Sequence, residues 1–497
     1  MTLCYCAFFA WWPALPTQDG PAWVMEGSAL AQQLAGKRLH GCSLVDALPP
    51  NAFAQLAIAC LRQVLSAEHA GRVYIACCVA GLFGSLLYLG VAARAPRGAI
   101  LAVLPLCAGY PLYHGFLNYM AALPVLCLGL GALLRNPEAR GLRGIALLTI
   151  VSCLLYSCHG TALAIWGLLL CVQCMVRRSW KLLARAALGL LPALVLLAFY
   201  VAQRSAEGAS LTWSAGSWAA TVSYRLRSPL RFLSVFHGFA PTYDDPTLRA
   251  LAPLLVLCNV GYALWLCVSG VRWALRARAS VDAQERFLAL STLALCACFL
   301  LLPHDVAKML NPAERLVLPA ALIGAAGYRR VGPSRPAAWR QTALCLLLAA
   351  QAMYVLVWGT SAASAASELI AVRERYGFAV PVVQVKQLGF VPKPRGLGAV
   401  ELLPRHQVLA MQGILEEFQA GHLVAPFDTG LFRCVLADHQ TPLAGDMAEL
   451  RRRERPLIVL GEREHTRVLA DQLGAGYSTT RVGTGFILVQ RTAAFSH

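Results

Sequence analysis

The chain has 497 residues, of which 58% are hydrophobic and 14% charged. A soluble fold of this length cannot hide so much apolar surface, so a polytopic membrane protein is expected. The formal net charge of +18 does not point to nucleic acid, because the basic residues cluster in short connections between apolar runs, where they act as topology signals.

Taken in order, eleven apolar runs read as transmembrane helices: 2–15, 72–93, 98–113, 116–134, 142–158, 160–176, 184–203, 249–271, 286–303, 315–328 and 341–360. The first is short, lacks a basic leader and a small-residue cleavage site, and reads as a signal anchor. Asp19-Gly20-Pro21 follows it. Gly20 and Pro21 are poor helix continuers, so a turn is expected that holds Asp19 at the membrane edge. Segment 16–70 is polar, with two surface helices predicted over Met25–Leu34 and Ala52–Leu65, on either side of Pro49-Pro50. Most of the 18 cysteines sit inside apolar runs as small hydrophobes, so neither a zinc site nor a disulfide framework is expected.

Alternate connections carry Arg94/Arg97, Arg135/Arg140/Arg143, Arg177/Arg178/Lys181/Arg185, Arg272/Arg276/Arg278 and Arg329/Arg330/Arg335/Arg340. The connections at His114 and His159 between them carry no Lys or Arg. The positive-inside rule then puts the N-terminus in the cytoplasm. Segment 16–70, the 204–248 loop, the 304–314 loop and everything after 360 lie outside. Beyond Gly359 charges and prolines become frequent. Strands are expected at Val380–Leu388, Pro456–Gly461 and Gly485–Arg491, and helices at Gln407–Ala420 and Glu464–Leu473. The expected fold is an all-α membrane bundle over 1–360 with a small extracytoplasmic α/β domain over 361–497.

The residues able to carry chemistry fall on one side of the membrane. Asp19 is either a turn acid or a base or cation ligand at a cavity mouth; an acid at the lipid boundary is costly unless solvated or paired. Glu26 lies about two helical turns on and could share a divalent cation, Mg or Mn, with Asp19, split the catalytic proton handling with it, or face solvent on a surface helix. In Tyr113-His114-Gly115-Phe116-Leu117-Asn118-Tyr119, Gly115 supplies a turn that points His114 and Asn118 to one surface; Asn118 could equally cap its own helix. His159 marks the next outer hairpin, as ligand or as an interfacial hydrogen-bonding residue. Pro303-His304-Asp305 and Asn311-Pro312-Ala313-Glu314-Arg315 frame the last outer loop. Arg315 can grip a phosphate or snorkel to phospholipid. Arg225, Arg227 and Arg231 stand among Trp213, Trp218, Tyr224 and Phe232, a pattern that fits an interfacial aromatic belt slightly better than a phosphate site.

The order of these features resembles the GT-C type membrane glycosyltransferases. Asp19-Gly20-Pro21, Leu48-Pro49-Pro50-Asn51, Gly115-Phe116-Leu117-Asn118-Tyr119 and Arg315 look like a group of bacterial members carrying DGP-x-H, PN, GFxNF and a late arginine. The likeness covers about residues 1–330. It implies a bacterial cytoplasmic-membrane enzyme that moves a sugar from a polyprenyl-phosphate carrier to a glycan, lipid or protein acceptor on the outer face. Asp19 would match the catalytic or metal-organising acid, and Arg315 the carrier-phosphate contact. His114, Asn118, His159, His304 and Asp305 are the further substrate-side candidates. Two positions depart from the pattern: Trp23 replaces the usual His, and Glu26 replaces a neutral amide. A lipid-linked glycan flippase and a non-catalytic envelope assembly protein are the alternatives.

Overall fold

A computed structural model of the chain describes residues 17, 20–37, 42–44, 48–206, 213–214, 218–236, 246–302, 305–306, 309–310, 312–328, 338–376, 382–384, 432–434, 457–460, 477–482 and 486–491. The first predicted span, 2–15, lies outside them. Helix α1 (Gly20–Leu34) comes first, then strand β1 (Cys42–Leu44), α2 (Phe53–Leu61) and α3 (Ala67–Ala92). Gly20-Pro21 therefore opens a helix instead of ending one. Proline is tolerated in a first turn, where its missing N–H would have no intrahelical partner. The sequence expectation of a terminating turn is corrected accordingly.

Seven helices among the described residues are long and apolar enough to cross a membrane, which makes the chain an integral membrane protein. They are α3, α6 (Leu117–Arg135), α7 (Gly141–Cys158), α8 (Gly160–Arg177), most of α9 (Trp180–Ala206), α11 (Pro246–Ala277) and α12 (Ala283–Leu301). The predicted span 98–113 is broken. Helix α4 (Arg97–Val103) passes into a 3-10 turn (Leu104–Ala108), and α5 (Tyr110–Tyr113) restarts after Gly109. Helix α10 (Trp218–Phe232) precedes α11, and α13 (Glu314–Gly327) follows α12. At 14 residues α13 is about 21 Å long, with Pro319 inside. Helix α14 (Ala338–Tyr376) has 39 residues, about 58 Å, far more than the hydrocarbon core needs.

Strands β2 (Trp213–Ser214), β3 (Asp305–Val306) and β4 (Met309–Leu310) form an antiparallel ribbon that joins two loops at the same end of the bundle. The remaining strands are β5 (Val382–Gln384), β6 (Phe432–Cys434), β7 (Leu457–Leu460), β8 (Tyr477–Val482) and β9 (Phe486–Arg491). Four of them make a sheet in the order β5-β7-β9-β8, with β5 parallel to β7 and the other pairs antiparallel. Strand β6 pairs antiparallel with β1, so Cys42 faces Cys434 in the register. The helices expected at Gln407–Ala420 and Glu464–Leu473 lie outside the described residues.

Backbone that leaves the helix inside a bilayer must find partners within the protein. Two irregular stretches here do so through two buried amides. Gln351 on α14 donates its Nε2 to the carbonyls of Pro105 (2.8 Å), Ala108 (3.1 Å) and Val235 (3.0 Å). Asn259 on α11 accepts at Oδ1 from the N–H groups of Val235 (3.0 Å) and Phe236 (3.1 Å) and donates to the Phe236 carbonyl. The Tyr110 N–H reaches the Ser234 carbonyl at 3.1 Å. Gly109 makes that approach possible, since a Cβ there would stand 2.8 Å from the same oxygen. The break after α4 and the end of α10 are thereby sewn to each other.

Gln351→Met should leave three buried carbonyls without this donor. A cost of about 1–3 kcal/mol is expected, read as a lower thermal unfolding midpoint in detergent, whereas Met353→Leu, 60% exposed two residues away, should leave the midpoint unchanged.

Candidate functional site

The helices alternate in direction, so one end of the bundle gathers α1, α2, α10, the turn after α5, the α7–α8 junction and the start of α13. Every described candidate residue stands at this end.

Helices α1 and α2 touch where Gly27 meets Ile58; a Cβ on Gly27 would lie 2.6 Å from the Ile58 side chain. That contact brings Glu26, fully buried, beside Gln55, whose Nε2 donates to Glu26 Oε2 at 3.0 Å. Gln55 Oε1 in turn accepts from Asn118 Nδ2 at 3.2 Å. Asn118 also donates to the Asn51 carbonyl and accepts from the Ala54 N–H at 2.6 Å. Asn51 sits in the left-handed region at φ 76°, a conformation Asn tolerates after proline in a tight turn. Asn118 thus caps the first turn of α2, a neighbouring helix, and makes no cap bond to its own.

The hairpin that follows α5 is held from two sides. Gly115, at φ 79°, turns the chain as glycine alone does easily. Its carbonyl accepts from Trp23 Nε1 of α1 at 2.7 Å. On the next residue, the Arg315 guanidinium of α13 stands 5.4 Å from the centre of the Phe116 ring. Phe116 stacks on Phe232 (6.1 Å, 24° between planes). Arg231 of α10 donates to the Tyr110 hydroxyl and stands 5.0 Å over its ring. The same hydroxyl is hydrogen-bonded to His114 Nε2, 2.7 Å away.

The start of α13 closes the site. Tyr119 donates its hydroxyl to the Arg315 carbonyl at 2.9 Å. Glu314 is buried and accepts from Ser228 Oγ of α10 at 3.1 Å, within charge range of Arg231 and Arg315. Arg225, also buried, donates to the Leu302 carbonyl and lies 5.1 Å over the Phe299 ring. His159 caps α8, its Nδ1 accepting from the Thr161 N–H at 3.2 Å, and packs edge-on against Tyr119. Burial first, and the Arg315 charge second, hold the His159 imidazole well below its ordinary value near 6.5. The ring is neutral, with its proton on Nε2.

Glu26, His114, Asn118, His159 and Arg315 therefore converge on α5, the hairpin and α6. The reading of Glu26 as the solvent face of a surface helix is corrected: it is buried against Gln55. The aromatic-belt reading of Arg225 and Arg231 is also corrected, since both turn inward; Arg227 alone of the three is exposed. Asp19, His304 and the side chain of Asp305 lie outside the described residues, although the Asp305 backbone is in β3. Gln55, Tyr110, Ser228 and Glu314 escaped sequence reasoning as site residues. The Mg or Mn expected between Asp19 and Glu26 receives one carboxylate from the described residues, and its Oε2 already accepts from Gln55. The other expected ligand, Asp19, lies outside the described residues, which among themselves hold no group of three or more acidic, His or Cys side chains.

His159 gives a pH dependence of stability. Its folded-state value is depressed, so below about 6.5 the unfolded chain binds a proton that the folded protein refuses. Stability should fall with pH there by up to about 1.4 kcal/mol per unit. His159→Asn keeps a capping acceptor and should flatten the acid limb of a melting-temperature profile between pH 7.5 and 5.

No protein-family model matches the chain, and no curated protein matches it. Among solved structures, the chain is similar to the crystal structure of ArnT from Cupriavidus metallidurans bound to undecaprenyl phosphate. The identity is 14%, the coverage 99% of this chain and 98% of that chain, and the TM-score 0.44.

Proposed function

We propose that this protein is a membrane glycosyltransferase that moves a sugar from a polyprenyl-phosphate donor to a glycan, lipid or protein acceptor. The reaction takes place at the end of the bundle holding the Gly115–Phe116 hairpin, on the outer face of a bacterial cytoplasmic membrane. One observation carries the reading. Trp23, two residues beyond Asp19-Gly20-Pro21, and Arg315, nearly three hundred residues later, touch consecutive residues of one hairpin. The resemblance read from the sequence rests on motifs scattered over 300 residues, and here the described ones meet. The basic connections stand at the opposite end of the bundle, which supports an outward-facing site.

Among the described residues, the wall of the site holds three guanidiniums (Arg225, Arg231, Arg315) and the Glu314 carboxylate, enclosed by Tyr110, Phe116, Phe232 and Phe299. A cationic, aromatic-lined recess at a membrane interface suits a lipid phosphate, whose tail stays in the bilayer. In the proposed reaction Asp19, immediately before α1, takes the proton of an acceptor hydroxyl. That oxygen bonds to the anomeric carbon as the bond to the carrier phosphate breaks. The leaving phosphate keeps the bonding electrons, and Arg315 and Arg231 stabilise its charge. Neutral His159 can donate Nε2–H to a sugar or phosphate oxygen without adding charge. Glu26 orders Gln55 and, through it, Asn118, which fixes α1 against the hairpin.

A lipid-linked glycan flippase is the second reading, favoured by broken helices at membrane depth. Both readings are tested by turnover of a polyprenyl-phosphate sugar with the purified protein. Asp19→Asn is expected to lower turnover by about 10²–10⁴-fold at normal membrane levels, and Arg315→Ala to raise the donor KM. Arg227→Ala should change neither. Full turnover in Asp19→Asn would sink Asp19 as the base, no turnover in the wild type would sink the enzyme reading, and movement of the donor across the bilayer without a new glycosidic bond would establish the flippase.

A further inference from the structure

At the opposite, arginine-rich end of the bundle, a cavity of about 800 Å³ opens between α4, α11, α13 and α14. It plays no part in the site above. Its lining is mainly apolar, with Arg97, Tyr328 and Ser269 among the polar groups. Its size comes from missing side chains. A Cβ built on Gly98, Gly261 or Gly270 would meet nothing within 4 Å.

Glycines inside membrane helices ordinarily let backbones pack closely. The one at Gly324 does this, 3.6 Å from the Gly270 Cα. Gly98, in the first turn of α4, and Gly261, inside α11, obtain no such contact, and Gly261 costs its helix about 1 kcal/mol relative to alanine. A recess of this volume within a bilayer fills with what surrounds it, because an empty one forfeits dispersion contacts along its whole lining. The surrounding medium is acyl chain. The mouth carries the exposed Arg97, and the same end of the bundle bears Arg94, Arg272, Arg276 and Arg278. A guanidinium at that depth meets lipid phosphate, and an extra anionic headgroup strengthens the attraction.

We infer that this cavity is a lodging site for one anionic phospholipid of the leaflet at the basic end, its phosphate on Arg97 and one acyl chain along Gly98 and Gly261.

The test is native mass spectrometry of the full-length protein, delipidated and then incubated with phosphatidylglycerol or with phosphatidylcholine. Wild type is expected to retain one phosphatidylglycerol and to prefer it over phosphatidylcholine by about fivefold, the effect of one arginine near an anionic headgroup. Gly261→Phe and Gly98→Leu fill the recess from opposite walls and should each lose that lipid. They should also lose the rise in melting temperature that it brings. Gly84→Phe, at an equally open glycine outside the cavity, should keep both. Arg97→Gln should bind the two lipids equally. Equal retention in wild type and in both filled variants overturns the proposal. So does a wild-type dimer that Gly261→Phe splits, which would assign the recess to a helix of a second copy.

Discussion

The structure depends on keeping non-helical backbone satisfied at membrane depth. A straight helix over 98–113 would carry the chain out of the bundle without folding anything back. Instead the run stops at Ala108, and Gly109 lets the Ser234 carbonyl come in beside Tyr110. Gln351 then bridges carbonyls on both sides of the contact, while Asn259 holds the end of the second stretch. In water these groups would be solvated wherever they lay. In hydrocarbon they have only each other, so the position of each stretch is fixed by the other. Arg231 is three residues from Ser234, and His114 four from Tyr110. The amide clamps therefore set the distance between the α10 arginine and the α5 aromatic residues.

The same constraint explains why the site can hold so much charge. Burying a guanidinium without partners is prohibitive, and Arg225 and Arg231 are each distributed over more than one weak acceptor. Arg225 has the Leu302 carbonyl and the faces of Tyr224 and Phe299. Arg231 has the Tyr110 oxygen and ring, and Arg315 has the Phe116 ring. Ring faces and carbonyls neutralise only part of a cation. Glu314 supplies a full negative charge, and Ser228 holds its carboxylate in place. A wall built this way keeps more positive than negative charge, where a set of tight carboxylate pairs would have cancelled it.

Much of this was legible from residue order. The apolar runs located the seven spans because an uninterrupted hydrophobic stretch of about twenty residues matches the thickness of a bilayer core. His114, Asn118, His159 and Arg315 stood out because polar residues at helix ends are conspicuous in such a chain. Their partners were not legible. Asn118 read as a cap for its own helix, and the identical chemistry caps α2, 64 residues away. Sequence periodicity says which face a residue is on but not which helix lies opposite. Gln351 and Asn259 each stand as a lone amide within a long apolar run, and nothing in the sequence marks the carbonyls and N–H groups they meet. The break at 104–109 did leave a signal, Pro105 and Gly109-Tyr110-Pro111 inside one predicted span, that hydropathy alone overrode. Arg225 and Arg231 were not legible as inward residues because composition does not say where a side chain points, and here both bond into the bundle, to the Leu302 carbonyl and the Tyr110 hydroxyl.

The two departures from the resembled pattern make sense in this arrangement. The position of Trp23 needs a donor to hold the Gly115 carbonyl, and the indole N–H provides it at 2.7 Å. A histidine there would offer the same bond from a smaller ring. Tryptophan keeps the hairpin held while adding bulk on α1. At Glu26 an amide would face Gln55 with one acceptor and two donors. The carboxylate presents acceptors only, which sets the Gln55 amide with its nitrogen towards Glu26 and its oxygen towards Asn118. That polarity makes Asn118 a donor at Nδ2 and leaves its Oδ1 for the Ala54 N–H. A single acceptor at the buried end of the chain of hydrogen bonds, Glu26 Oε2, thus orients the amides along it, from α1 to the hairpin.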